Sequence, residues 1–175
     1  AYDGGTISVN GKMGIQLQSS SLPAHIKPME AVKLFAKWSR VQADGTMLEA
    51  LGIGEIEGTP YARLSTGQKR RLHLALALIR DPDIVFLDEP TAGLDVKGRL
   101  SLHGQIRQLK AQGKTVVLAS HDMAEVEALC DRLAILHDGQ LVFCGTAAEL
   151  TDKIGKRYRI HIQTQQGRDT VETDS

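Results

Sequence analysis

Neither sign of charge dominates this chain of 175 residues, in which Lys plus Arg and Asp plus Glu both number 21. No basic excess points to nucleic acid, and no run of one charge points to a solvated tail. Cysteine is scarce as well: Cys130 and Cys144 are the only two, in neither a CxxC nor a metal-ligand spacing. Two inert packing thiols in a reduced compartment are therefore expected. Long apolar runs are missing. The longest, Leu72 to Ile79, is broken by His73 and falls far short of the roughly 20 residues that cross a bilayer. There is no signal peptide, and Ala1 rather than Met opens what reads as the middle of a domain, so a missing front end is expected.

What is present suits one ordinary core: 42% hydrophobic and 24% charged residues in a length that can bury a single domain and a small lobe. Alternation over Gly5 to Val9, before Asn10 and Gly11, predicts a strand and a tight turn, and Met13 to Gln18 a second strand. After Pro23 and Pro28, the spacing of Val32, Leu34, Phe35 and Trp38 predicts a helix over 29–38, and a short helix follows around Met47 to Leu51. From Leu64 the pattern sharpens into a helix over 65–80, a strand over 84–87, a helix over 96–112 and a strand over 115–120. Strand, helix, strand implies a parallel crossover, and the unbroken runs Ile84 to Leu87 and Val116 to Ala119 imply strands covered on both faces. A helix over 122–131, opened by an Asp122/Glu125 capping box, then a hairpin about Asp138 and Gly139, complete an α/β core. Tyr158 to Thr164 alternates again, and the polar stretch from Gln165 to Ser175 reads as a loose tail.

In doubly wound folds, ligands gather beyond the carboxyl ends of the parallel strands. One strand ends in Asp88 and Glu89, adjacent carboxylates of which one can hold a hard cation such as Mg²⁺ while the other polarises a water. The next delivers Ser120 and His121 to the same edge. The alternative reading is an N-cap and a surface histidine. Leu64, Ser65, Thr66, Gly67 and Gln68 open the helix before the first of these strands, with Ser65 as cap and Gln68 completing a capping box. Free N–H groups and the positive dipole end there suit a phosphate, which Gly67 lets approach closely, although such a cap is also common as pure structure.

These pieces, in this order and spacing, resemble the ATP-binding cassette (ABC) family. Leu64 to Gln68, followed by Lys69, Arg70 and Arg71, is similar to the family signature, with Thr66 in place of the more usual glycine, as in multidrug-exporter ATPases. The resemblance, which runs roughly from Gly5 to Leu150, implies a P-loop NTPase-like parallel sheet core flanked by helices, with a small antiparallel β portion and a helical lobe. It implies that Asp88 holds Mg²⁺ through water and that Glu89 is the general base. His121 would contact the γ-phosphate, and Asp95, after Ala92, Gly93 and Leu94, would belong to the loop joining two subunits. Gln18 would be the glutamine that senses Mg²⁺ and the attacking water, with Gln16 as the competing candidate. Ser65, Thr66, Gly67 and Gln68 would serve ATP held by a second ABC ATPase domain, identical or different. The further partner implied is a transmembrane permease subunit at the cytoplasmic face of the cell membrane, and no nucleic acid is expected. Four segments follow: 1–18, a β portion and the start of the glutamine loop; 19–63, the helical lobe; 64–150, the catalytic α/β core; and 151–175, a C-terminal extension. Phosphoryl transfer requires positioning, charge neutralisation and an oriented water rather than covalent help, and these residues are of the types that supply them.

No G-x-x-x-x-G-K-[ST] string occurs, so the backbone cradle and Lys that such chemistry uses are expected before Ala1. Gly113, Lys114 and Thr115 imitate its end, but Gln108 stands where the first glycine belongs and the triplet leads into a strand. Gly113 reads as a helix C-cap. Residues are also expected to be missing between Asn10 and Met13, where the link is shorter than the family usually has. Two functions remain open: an ATP-hydrolysing transporter subunit, with export favoured by the signature variation, or a fragment without activity of its own. Non-transport ABC ATPases are a further branch, which the balanced charge does not support.

Overall fold

The two unbroken apolar runs become neighbouring strands. In the computed structural model, which describes residues 6, 8–154, 157–164 and 167–174 with side chains as far as 154, β1 (Met13–Gln16), β2 (Ile84–Asp88) and β3 (Thr115–Ala119) form a parallel sheet in the order β1-β2-β3. Met13 lies opposite Ile84, and Ile84 opposite Thr115, so the three strands end at one edge. Parallel neighbours need a crossover, which α4 (Val96–Ala111) provides between β2 and β3. This is the P-loop NTPase-like α/β architecture expected.

One face of the sheet is closed by α3 (Thr66–Leu78), which buries Leu72, Leu74, Leu76 and Leu78 and packs on β1. Gly14 makes that approach possible, because a Cβ there would collide with the Ala77 carbonyl of α3 and with Pro82. Val85 and Leu87 are fully enclosed on this face, each removing roughly 2 kcal/mol of apolar surface from water. The other face differs from expectation. Met13, Ile15 and Val117 are 48%, 56% and 43% exposed, so the burial alternates although the residue types do not.

α1 (Pro28–Ser39) starts with Pro28, whose fixed φ and missing N–H suit a first helical position, and ends at Arg40 with φ 55. It buries Ala31, Val32 and Ala36, whereas Leu34 and Trp38 are exposed, so the apolar stripe is only partly core. α2 (Gly45–Ala50) is capped by Asp44, which accepts from the Thr46 amide at 2.9 Å. The C-cap of α4 is Gln112, one residue before the glycine expected there, and Gly113 follows it in left-handed backbone at φ 81; Lys114 is paired with Asp81.

Several ends move. The strand expected over 13–18 stops at Gln16, because Leu17 and Gln18 turn away from the sheet. The strand expected over 5–9 falls partly outside the described residues, at Gly5 and Ile7, and Thr6, Ser8 and Val9 are not in a strand.

The chain divides into two compact units, Ala1–Met123 and Ala124–Ser175. α5 (Met123–Leu129) starts at the boundary, and within the second unit it is followed by the hairpin of β4 (Leu133–His137) and β5 (Gln140–Gly145). Its turn is the expected pair, Asp138 at φ 48 and Gly139 at φ 75, both left-handed as a type I′ turn requires. Cys144 lies exposed on β5 rather than packed, which corrects that expectation. α6 (Ala147–Ile154) has a reciprocal cap between Thr146 and Glu149 at 2.7 and 3.2 Å. The polar stretch expected as a loose tail instead supplies β7 (Gly167–Asp174), antiparallel to β6 (Arg157–Thr164), with Gln165, Gln166 and Ser175 outside the described residues. A two-stranded ribbon satisfies its backbone by pairing, and needs no continuous apolar run to do so.

Candidate active site

β2 is followed directly by a residue bent out of ordinary backbone space. Glu89 has φ 45, and its amide donates to the Ala119 carbonyl at 2.9 Å, so the sheet ladder itself holds the bend. A non-glycine residue there costs about 1 kcal/mol or more, and such strain clusters at functional sites. The bend turns the carboxylate to β3: Glu89 Oε1 accepts from the His121 amide at 3.1 Å and lies 2.7 Å from His121 Nδ1. Glu89 is 17% exposed at its side chain and His121 85%, so a partly sheltered carboxylate meets an accessible ring. Beside them, Asp88 Oδ2 accepts from the Gln18 amide at 3.4 Å, and Arg70 Nη1 donates to the Gln18 carbonyl at 3.1 Å. Gln18, Asp88, Glu89 and His121 thus share the carboxyl edge of the sheet, one strand end apiece for Gln18 and His121 and a common one for the carboxylates.

Among the described residues no cluster of three or more His, Cys, Asp or Glu is arranged to hold a metal ion. A lone carboxylate with neighbouring oxygen donors fits Mg²⁺, which keeps several of its waters, and does not fit zinc or a copper centre.

The second group of expected residues lies at the start of α3. Ser65 Oγ accepts from the Gln68 amide at 3.3 Å and Gln68 Oε1 from the Ser65 amide at 2.8 Å, the capping box read from the sequence. Asp95 caps α4 in the same manner, accepting from Gly98 at 2.8 Å. The two helix starts adjoin: a Cβ on Gly93 would sit 3.6 Å from Thr66 Cγ2, and one on Gly67 would sit 3.7 Å from Leu94 Cδ2. Ser65, Thr66, Gly67, Gly93 and Asp95 line one open cleft.

The structure adds residues that the sequence reading passed over. His73, visible only as an interruption of an apolar run, has both ring nitrogens engaged: Nδ1 lies 3.1 Å from Ser20 Oγ and Nε2 2.9 Å from Tyr61 Oη. Burial, then the neighbouring Arg70 and Lys69, hold its pKa below the ordinary imidazole value. Burial raises that of Tyr61. Gln16, the competing glutamine, is 2% exposed with neither amide atom bonded, and it lines a groove with Phe35, Trp38 and Ile79. The signal for His73 was a polar side chain inside the apolar stripe of α3, three residues after Arg70; Gln16 carried no such signal beyond its strand position.

Comparison with known proteins bears on this arrangement. The family model described as ABC transporter matches residues 4–92. A fluoroquinolone export ATP-binding protein of Mycobacterium tuberculosis is 37% identical over 151 residues, which are 83% of this chain and 50% of that protein. The Nod factor export ATP-binding protein I of Burkholderia orbicola is 33% identical over 168 residues, covering 86% and 55%. An uncharacterized ABC transporter ATP-binding protein of Nostoc is 42% identical over 120 residues, covering 69% and 35%, so the chain spans about a third to a half of these bacterial relatives. A metal-chelate type ABC transporter solved in an inward-facing conformation has the same fold at TM-score 0.74 and 19% identity, over 99% of this chain and 77% of that one.

Proposed function

Because the chain belongs to the ABC transporter family, we propose that it is the core of a nucleotide-binding subunit or domain that hydrolyses ATP to ADP and phosphate and thereby drives transport across a membrane, in the direction of export. Family members bind nucleotide, and their ATPase domains generally work with a second such domain and a transmembrane subunit. The observation that carries the reading is the Glu89 carboxylate held 2.7 Å from His121 beside Asp88 and Gln18, at the edge where a parallel sheet receives ligands.

In this reading Glu89 is the general base that accepts a proton from the attacking water, sheltered enough to be directed yet open to one side. His121, anchored through Nδ1, presents its ring to the γ-phosphate. Asp88 and Gln18 are the oxygen donors for Mg²⁺, which when bound supplies charge neutralisation at the phosphates. Ser65, Thr66, Gly67 and Gln68 offer a helix start to nucleotide held by a second ATPase domain, with Asp95 in the adjoining loop, so that dimerisation completes the site. In this reading the segments 1–18, 19–63, 64–150 and 151–175 are a β portion with the start of the glutamine loop, a helical lobe, the catalytic core and a C-terminal extension. The exposed Leu34 and Trp38 of α1 are the surface offered to a transmembrane permease at the cytoplasmic face. Among the described residues no helix is long and apolar enough to cross a membrane.

The intact protein is expected to hydrolyse Mg-ATP and to co-purify with a hydrophobic membrane subunit. Isolation only with nucleic acid or ribosomes would overturn the transport reading and favour a non-transport ABC ATPase. A second reading is favoured by the lack of a G-x-x-x-x-G-K-[ST] string in the 175 residues: this stretch alone is inactive. Calorimetry on it should detect at most very weak Mg-ATP binding, and micromolar affinity would sink that view.

A further inference from the structure

Once β1 ends, the loop that carries Gln18 meets the sheet through the Asp88 carboxylate, and α3 holds it from the other side. Arg70 and His73 stand three residues apart on α3, hence on one face of the helix. Arg70 Nη1 donates to the Gln18 carbonyl at 3.1 Å, and His73 Nδ1 meets Ser20 Oγ at 3.1 Å. Ser20 Oγ in turn donates to the Leu17 carbonyl at 3.4 Å, closing the loop on itself. From the 3-10 turn Tyr61–Arg63, Tyr61 supports the ring from behind: its hydroxyl lies 2.9 Å from His73 Nε2 and 3.4 Å from the Ser20 carbonyl, with the two rings edge to face. The neutral imidazole satisfies this chain in either tautomer. With the proton on Nδ1, Tyr61 donates to Nε2, His73 to Ser20, and Ser20 to Leu17. With the proton on Nε2, His73 donates to Tyr61, Tyr61 to the Ser20 carbonyl, and Ser20 to Nδ1.

We propose that His73 is a positioning residue which, through Ser20, locks the Gln18 loop to α3, so that the glutamine at one nucleotide and the helix start offered to the other nucleotide move as one body. The proposal rests on the reading of Gln18 and of residues 65–68 given above, and adds to it the residue that couples them. No reacting atom touches His73. Its effect is on where Gln18 sits, and a displacement of about 1 Å at such a residue lowers turnover by up to about 10²-fold.

The substitutions separate the two nitrogens. In His73→Asn the amide replaces Nδ1 and keeps Ser20; in His73→Gln it replaces Nε2 and keeps Tyr61. In the protein as its gene encodes it, His73→Ala should lower kcat roughly tenfold or more while KM for ATP moves less than about threefold, because positioning and not ground-state binding is lost. His73→Asn should recover more of kcat than His73→Gln. Ser20→Ala should reproduce the loss, and the double variant Ser20→Ala/His73→Ala should be no worse than either single one. Unchanged kcat in His73→Ala, better rescue by Gln than by Asn, or multiplicative losses would overturn the proposal. A second measurement does not need activity: amide exchange of Gln18 should quicken at least about tenfold in His73→Ala, with the sheet amide of Val85 unchanged. Equal exchange in both proteins overturns the clamp. If the unaltered protein hydrolyses no ATP, or Glu89→Gln hydrolyses as fast, the functional reading fails instead, and the exchange result still judges the clamp.

Discussion

The sheet edge and the start of α3 are both proposed to meet nucleotide, yet they are built in opposite ways. At the edge, Glu89 faces His121 across 32 positions of sequence and Asp88 meets Gln18 across 70, so the arrangement exists only while β1, β2 and β3 stay in register. At the start of α3, Ser65 and Gln68 satisfy each other within one turn. The first site is an assembly, and the second is a local motif presented by an assembly. Damage to the fold should therefore reach the edge first and leave the cap nearly intact, whereas loss of the cap should weaken one helix without disturbing the edge.

The sharpest way to break that comparison is at the proposed base. Glu89→Gln in the intact protein should reduce ATP turnover by about 10²–10⁴-fold while nucleotide-dependent dimerisation persists, because the proton acceptor is lost and the surrounding charges stay. Unchanged phosphate release would mean that Glu89 has been given the wrong role. A smaller effect, but one on the whole fold, is expected from Gly14→Ala: the added methyl meets the Ala77 carbonyl, and denaturant unfolding should register a loss of about 1–3 kcal/mol. Gly67→Ala, where the nearest atom is 3.7 Å away, should cost less, and equal losses would contradict the packing described. Ser65→Ala should cost about 1 kcal/mol as a lost cap, measured in the same way, and leave Gln18 amide exchange unaltered.

The mildest expectation concerns pH. The folded pKa of His73 lies below its unfolded value of about 6.5, so between the two the unfolded chain binds more protons and stability rises with pH. The contribution is complete above pH 6.5 and is lost as pH falls through the folded pKa. His73→Asn should flatten this slope. A native chain whose melting temperature is level from pH 5 to 7 would argue against the buried, neutral ring.

Much of this was legible beforehand for reasons that differ by element. α3 and its cap could be read because Ser65, Gln68 and the Leu72 to Ile79 stripe all act within a few residues of one another. The Asp138 and Gly139 turn was equally readable, since left-handed backbone at two consecutive positions selects such residues. The β6–β7 ribbon was half missed, because strand pairing between polar segments leaves no apolar signature. The open face of the sheet was misjudged as well: Met13, Ile15 and Val117 are apolar whether or not anything covers them. The Gln16 and Gln18 ambiguity had the same origin, since residue type cannot reveal where a strand stops.

By itself, then, the sequence determined the order of strands and helices along the chain, the caps and the turns, because each depends on propensities and contacts within about four positions, while the residues expected to converge came from the resemblance to a family. Only the tertiary structure decided that Glu89 bends at φ 45 toward His121, that Gly14 admits α3 against β1, and that His73 fastens the Gln18 loop. Those are distances between atoms 32, 63 and 53 residues apart, and they are set by strand register and helix packing, to which no local pattern is sensitive.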